Sequence, residues 1–209
     1  MVEPEIILRA ATAGDAAAMA DVDRQSWPAQ LATTADEFAA RIAAYADGQL
    51  VAISAGRVVG TASAQRITAE FLAARSGSYD SITDDNCFTH SHTGRGEIYQ
   101  LIGVGVLPEV RGRRLGRMLV DRQIELARSL NGVQRIVGFT RPAAYSQHPG
   151  IPIKEYVQAR DSNGNLLDPV LAFHIEAGAR IVSVHANFRP SDSDACGHGV
   201  LIEYASSSC

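Results

Sequence analysis

The feature that most constrains this chain is an apolar strand running into a basic turn and then into an amphipathic helix. Ile98-Tyr99-Gln100-Leu101-Ile102-Gly103-Val104-Gly105-Val106 has the aromatic and β-branched content of a central strand. Arg111-Gly112-Arg113-Arg114-Leu115-Gly116-Arg117 follows, and a helix over residues 113–130 puts Leu115, Leu119, Gln123, Ile124 and Ala127 along one face. A helix mouth leaves backbone N–H groups without internal partners and carries the positive end of the helix dipole, so it holds phosphate oxygens. Arg111, Arg113, Arg114 and Arg117 add charge suited to a pyrophosphate and a ribose phosphate.

Further strands and helices surround this unit. Ile6-Ile7-Leu8-Arg9 is a short strand, and Thr12-Ala13-Gly14-Asp15 offers N-cap chemistry for an Ala-rich helix through Val22. Trp27-Pro28 ends or kinks that helix, because proline disfavours helical geometry at the residue before it. Thr33 or Thr34, with Glu37 following, starts a second helix with Phe38, Ile42 and Tyr45 at helical spacing. Residues 50–53 and 58–62 read as a hairpin around Ser54-Ala55-Gly56-Arg57. The polar stretch from Arg66 to Gly96 is long for a loop, so a short helix is expected near residues 69–74, with the stretch lying over a functional face. Beyond the 113–130 helix come a strand over 133–140, a short helix begun by Asp168-Pro169 and closed at Gly178, and strands over 179–188 and 199–204. The order predicts one domain over residues 1–209, of α/β (α+β) class, with a mixed central sheet and helices on both faces.

Composition narrows the function. An apolar share of 46% and a charged share of 20% suit a globular core, and a net charge of −4 argues against a nucleic-acid-coating role. No apolar run approaches the roughly 20 residues that span a bilayer. The acidic start Met1-Val2-Glu3-Pro4-Glu5 lacks the pattern of a secretory signal, so cytoplasmic residence is expected. Cys87, Cys196 and Cys209 are odd in number and far apart, which argues against a disulfide framework. His90 and His92 would share one face of a strand, with Cys87 nearby. Residues 80–97 are rich in Ser, Thr, Asp, Asn and Gly, however, and read as a solvated loop rather than a zinc site. No metal is expected.

The segment from Val106-Leu107-Pro108 to Gly116 resembles the acyl-CoA clamp of the GNAT acyltransferase family. That family's pattern is Gln or Arg, two residues, Gly, one residue, then Gly or Ala, after a strand reading Val-x-Pro; here Arg111-x-x-Arg114-x-Gly116 stands, with arginine in place of the middle glycine. The resemblance implies that acyl-CoA, or a phosphopantetheine-linked acyl group, binds through Val104, Val106, Arg111, Gly112, Arg113, Arg114, Leu115, Gly116 and Arg117. It also implies a sheet splayed beside Ile102 to Val106, with residues 133–140 as the other side of the wedge.

Amine acetyltransferases of this fold tend to use a Glu base on the strand before the clamp and a Tyr acid after the next strand. Here Asp168-Pro169-Val170-Leu171-Ala172-Phe173-His174 lacks the Tyr, and Glu97 and Tyr99 match the base only loosely. The stretch from Glu97 to Tyr204 is instead similar to the GNAT-like domains of polyketide synthase loading modules. Decarboxylation of malonyl thioesters and acyl transfer to an acyl carrier protein are attributed to those domains. The matching residues are Thr140 in Gly138-Phe139-Thr140-Arg141, His174, Arg189 in Asn187-Phe188-Arg189-Pro190, and the tail Gly197 to Tyr204. A related branch, fused to carbon–nitrogen hydrolases, shares much of that tail.

The resemblance implies malonyl-CoA decarboxylation with Thr140 and His174 as catalytic residues, Arg189 as a positioning or selecting group, and Trp27 lining the tunnel. Loss of CO2 leaves an enolate, and one donor aimed at its oxygen is worth about 3 kcal/mol. Thr140 or protonated His174 would be such a donor, and His174 could then protonate the carbon. Read without the family, His174 beside Phe173 is a core histidine, Thr140 a strand-end hydroxyl and Arg189 a solvated strand end. His148 and His185 read as surface or structural. The stretch 141–167 is expected to form a lid over the acyl end. Two other readings stay open: an acetyl-CoA-dependent N-acetyltransferase of a small amine, and an acyl-CoA-binding domain without turnover.

Overall fold

A computed structural model describes residues 4–206; Met1, Val2 and Glu3 of the acidic start, and Cys209, lie outside the described residues. Seven strands form one sheet: β1 (Ile6–Ala10), β2 (Gln49–Ser54), β3 (Arg57–Ile67), β4 (Ile98–Val106), β5 (Arg135–Thr140), β6 (Ala179–His185) and β7 (Gly199–Tyr204). Their order in space is β1-β2-β3-β4-β5-β7-β6, with β4 and β5 parallel and the other pairs antiparallel. Among the described residues no helix is long and apolar enough to cross a membrane.

The helices are α1 (Ala16–Ser26), α2 (Ala35–Tyr45), α3 (Ala69–Arg75), α4 (Tyr79–Thr83), α5 (Leu115–Ser129), α6 (Ile153–Tyr156) and α7 (Pro169–Glu176). Local chemistry sets their starts. Thr34 and Glu37 form a reciprocal capping box on α2, and the Asp168 carboxylate accepts the Val170 and Leu171 N–H groups at the mouth of α7. Gly105, paired with Thr61, faces Ser26 and Asp23 of α1, whereas the adjacent pair Gly60 and Val106 faces Leu115 and Leu119 of α5. Successive strand residues point to opposite faces, so α1 and α5 cover opposite sides of the sheet.

β4 and β5 pair only from Ile98 to Leu101 against Arg135 to Gly138. A bulge in β4 at Ile102, where Ser63 pairs with Gly103 and Ala64 with Leu101, sits at the point of divergence. Gly138 belongs at this fork, since a Cβ there would lie 3.3 Å from the Leu101 carbonyl oxygen. Beyond it the two strands part.

Two expectations are corrected. β3 continues to Ile67 rather than ending near residue 62, because its polar tail is satisfied inside the protein: Gln65 Nε2 donates to the Ile82 carbonyl and to Gln100 Oε1, and Ser91 Oγ donates to Gln65 Oε1. The 141–167 stretch is a buttress, not a lid. Tyr156 and Val157 are buried, Val157 in the same core cluster as Leu171, and the Tyr156 hydroxyl donates to Asp168. None of residues 142–167 lines the cavity described below.

Candidate active site

The parting strands open a cavity of about 510 Å3. Ile102, Gly103, Val104 and Val106 of β4 form one wall, and Gly138, Phe139 and Thr140 of β5 the other. Arg111, Gly112, Leu115 and Gly116 stand at the helix mouth, and Phe173 and His174 of α7, Arg189, His198 and Tyr204 are among the other lining residues. The β5-facing backbone of residues 102–106 lacks strand partners there, so an extended ligand arm can pair with it.

At the helix mouth Gly112 has φ +81° and Arg114 φ +58°. Left-handed residues in such a turn aim successive N–H groups into one concavity, an anion cradle. Arg114 therefore adopts the backbone form that glycine takes at low cost, at the position where the family pattern has glycine. Six of the nine residues expected at the clamp line the cavity: Val104, Val106, Arg111, Gly112, Leu115 and Gly116. Arg113, Arg114 and Arg117 do not. Arg113 donates to the Pro4 carbonyl at 3.2 Å. Arg117 is spent on structure: Nε donates to Asp121 at 2.7 Å, one turn along α5, and NH1 to the Glu176 carbonyl at 2.8 Å, which ties α5 to the end of α7.

The remaining expected residues also line the cavity. His174 Nδ1 lies 2.6 Å from the Tyr204 hydroxyl. The ring lines the cavity, and burial lowers its pKa to about 4, so it is neutral at physiological pH. This corrects the expectation of a protonated imidazole in the free protein. Burial also raises the Tyr204 pKa, so the phenol keeps its proton; in the tautomer in which it donates to Nδ1, the ring proton stands on Nε2.

Thr140, 6% exposed, has a buried hydroxyl without a hydrogen-bond partner among the described residues. An unmet buried hydroxyl costs about 1–3 kcal/mol, which suits an atom whose partner is a ligand. Arg189 lies over the Tyr79 ring, 3.9 Å from its centre, and donates to the Leu31 carbonyl at 3.0 Å. Trp27 covers Gly103 on the opposite wall. Asp192 is the sole carboxylate among the described cavity residues, and Arg141 neutralises it through two contacts of 2.6 Å.

Other readings of the sequence resolve differently. Tyr99 is buried with its hydroxyl on Gln123, and the half-buried Glu97 accepts the Ala69 N–H; neither lines the cavity. His90 pairs with Asp84, while His92 accepts the Arg66 N–H and stacks on Tyr45. Tyr79 was not singled out in the sequence, and His198 and Tyr204 entered only as parts of the matching tail Gly197 to Tyr204, with no role assigned. Ile202 and Tyr204, two apart on β7, both line the cavity, and this alternation was the available signal for Tyr204.

Comparison with known proteins agrees with this geometry. The model of the acetyltransferase (GNAT) family matches residues 16–148. The loading GNATL domain of CurA from Lyngbya majuscula superposes with a TM-score of 0.87 at 26% identity, covering 97% of this chain and 98% of that one. The GphF GNAT-like decarboxylase, solved in complex with isobutyryl-CoA, superposes with a TM-score of 0.84 at 30% identity, covering 96% and 100%. A probable hydrolase of Bacillus subtilis, YhcX, is 24% identical over 202 residues, 97% of this chain; the chain spans 39% of that relative's length. The family match, the forked sheet and the helix-mouth cradle agree: the chain belongs to the acetyltransferase (GNAT) family, in the branch of GNAT-like loading and decarboxylase domains.

Proposed function

We propose that this chain decarboxylates a malonyl-type thioester, carried on CoA or on an acyl carrier protein, and so supplies an acyl starter unit for polyketide assembly. One observation carries the reading. The acyl end of the cavity offers the uncharged donors Thr140 and His174 and the cation Arg189, while its carboxylate is neutralised by Arg141. Such an end suits an acyl group that is itself an anion. The resemblance to a decarboxylase and to a loading domain supports the same reading.

On this reading the pyrophosphate lies on the N–H groups of residues 111–116, and the pantetheine arm follows the open edge of β4. Arg189 orients the substrate carboxylate. Tight gripping would stabilise the ground state that must be lost, so its role is placement rather than acceleration. The bond between the α carbon and the carboxylate breaks, CO2 leaves, and the electron pair moves into the thioester as an enolate. Thr140 Oγ–H and His174 Nε2–H donate to the enolate oxygen as its charge develops, each worth about 3 kcal/mol of barrier. The α carbon takes its proton from solvent, leaving the shortened acyl thioester.

The amine-acetyltransferase reading finds no free carboxylate base here: the cavity carboxylate is paired, and the His174 imidazole, with a pKa of about 4, is a weak proton acceptor. Incubation with malonyl-CoA should yield acetyl-CoA by mass without any amine. Intact malonyl-CoA and intact malonyl–carrier protein after long incubation at high protein concentration would remove the assignment. Thiol release from acetyl-CoA only when an amine is added would favour the rival.

A further inference from the structure

We infer that His198 is a second carboxylate-reading residue of the cavity, paired with Arg189 and selecting dicarboxylic acyl thioesters over simple ones; this rests on the function proposed above. His198 lines the acyl end, and its Nδ1 is buried without a hydrogen-bond partner among the described residues. Two of the four side-chain atoms in that condition, Thr140 Oγ1 and His198 Nδ1, belong to residues that line this one cavity. The Thr140 hydroxyl is accounted for by the enolate oxygen. The imidazole nitrogen has no assigned partner, and the remaining polar group of a malonyl thioester is its carboxylate.

The backbone brings the two readers together. Arg189 N–H donates to the Gly197 carbonyl at 3.0 Å, so the loop between them is closed and His198 follows directly on the residue that caps it. Asp192, within that loop and 1% exposed, is held by both Arg141 contacts and accepts the Ala195 N–H. The Arg141–Asp192 clasp thereby fixes the loop from which both side chains enter the cavity. The Tyr145 ring meets the His198 ring at 5.4 Å in an edge-on contact and sets its plane. An imidazole presents an N–H at Nδ1 either as its cation or as one neutral tautomer, and a carboxylate oxygen accepts it. Arg189 supplies charge and His198 supplies direction.

The test compares dissociation constants of malonyl-CoA and acetyl-CoA by calorimetry in a His174→Ala background, with mass spectrometry confirming that malonyl-CoA stays intact during each titration. Adding His198→Leu should weaken malonyl-CoA binding about tenfold and change acetyl-CoA binding less than twofold. His198→Gln, which keeps a donor, should retain most of the preference, and thermal melts establish that each variant is folded. Equal weakening of both ligands would overturn the inference, because the ring would then shape the cavity rather than read the carboxylate. An unchanged ratio would overturn it as well. The binding ratio is separate from turnover: a wild-type protein that leaves malonyl-CoA intact removes the decarboxylase reading, whereas lost discrimination in an active protein identifies the selector.

Discussion

The Tyr204 hydroxyl lies 2.6 Å from His174 Nδ1, joining the last strand to a short helix across 30 residues of sequence. With the buried phenol as donor, this contact leaves the imidazole proton on Nε2. On the proposed function, a histidine that is neutral in the free protein acts as a hydrogen-bond donor rather than as an acid at rest.

Tyr204→Phe keeps the ring and removes that donor. Decarboxylation should fall about 10- to 100-fold while the acetyl-CoA dissociation constant stays within twofold, measured by steady-state kinetics and calorimetry. A loss of CoA binding equal to the loss of rate would mean that Tyr204 shapes the cavity instead of orienting His174.

Thr140→Val separates function from stability. The valine fills the same volume and removes a buried hydroxyl that no described group satisfies, so the melting temperature should hold or rise. The rate should drop at least a hundredfold. A destabilised variant would indicate that the hydroxyl has a structural partner.

Burial of neutral His174 links stability to pH. Its folded pKa of about 4 lies below the unfolded value near 6.5, so the unfolded chain binds more protons between those limits. That contribution to stability is full above about pH 6.5, is lost as pH falls toward 4, and stays lost below. Urea midpoints measured across this window should fall more steeply for the wild type than for His174→Gln.

Much of this was legible in the sequence, and the failures have physical causes. The clamp was readable because strand, turn and helix are consecutive, so local periodicity and the Arg111–Gly116 pattern are enough. The polar tail of β3 was misread because Gln65 is buried by partners far along the chain, Ile82 and Gln100, which composition does not reveal. The 141–167 stretch looked like a lid, yet Tyr156 enters the core because Asp168, the cap of α7, is there to accept its hydroxyl. Arg117 was counted with the phosphate-binding arginines, though Asp121 one turn ahead was already visible in the sequence as a competing partner. The pairings of His174 with Tyr204 and Arg189 with Tyr79 depend on tertiary register, which one sequence does not encode locally.

Arg114→Gly restores the glycine of the family pattern at a residue with φ +58°. Relief of the left-handed strain should stabilise the protein by about 1 kcal/mol, partly offset by glycine's added freedom when unfolded. CoA binding should not weaken, since Arg114 does not line the cavity. A clear loss of affinity, measured by calorimetry, would show that its guanidinium reaches the ligand.

The central claim is that Thr140 and His174 together stabilise an enolate formed by loss of CO2. The most direct measurement is the release of labelled CO2 from malonyl-CoA, or from the malonyl–carrier protein, carrying the label in the free carboxyl group. The wild-type protein should release it catalytically, and Thr140→Val and His174→Ala should each slow release at least a hundredfold with folding intact. Release at equal rates from the wild type and both variants, or none from any of them, would contradict the account.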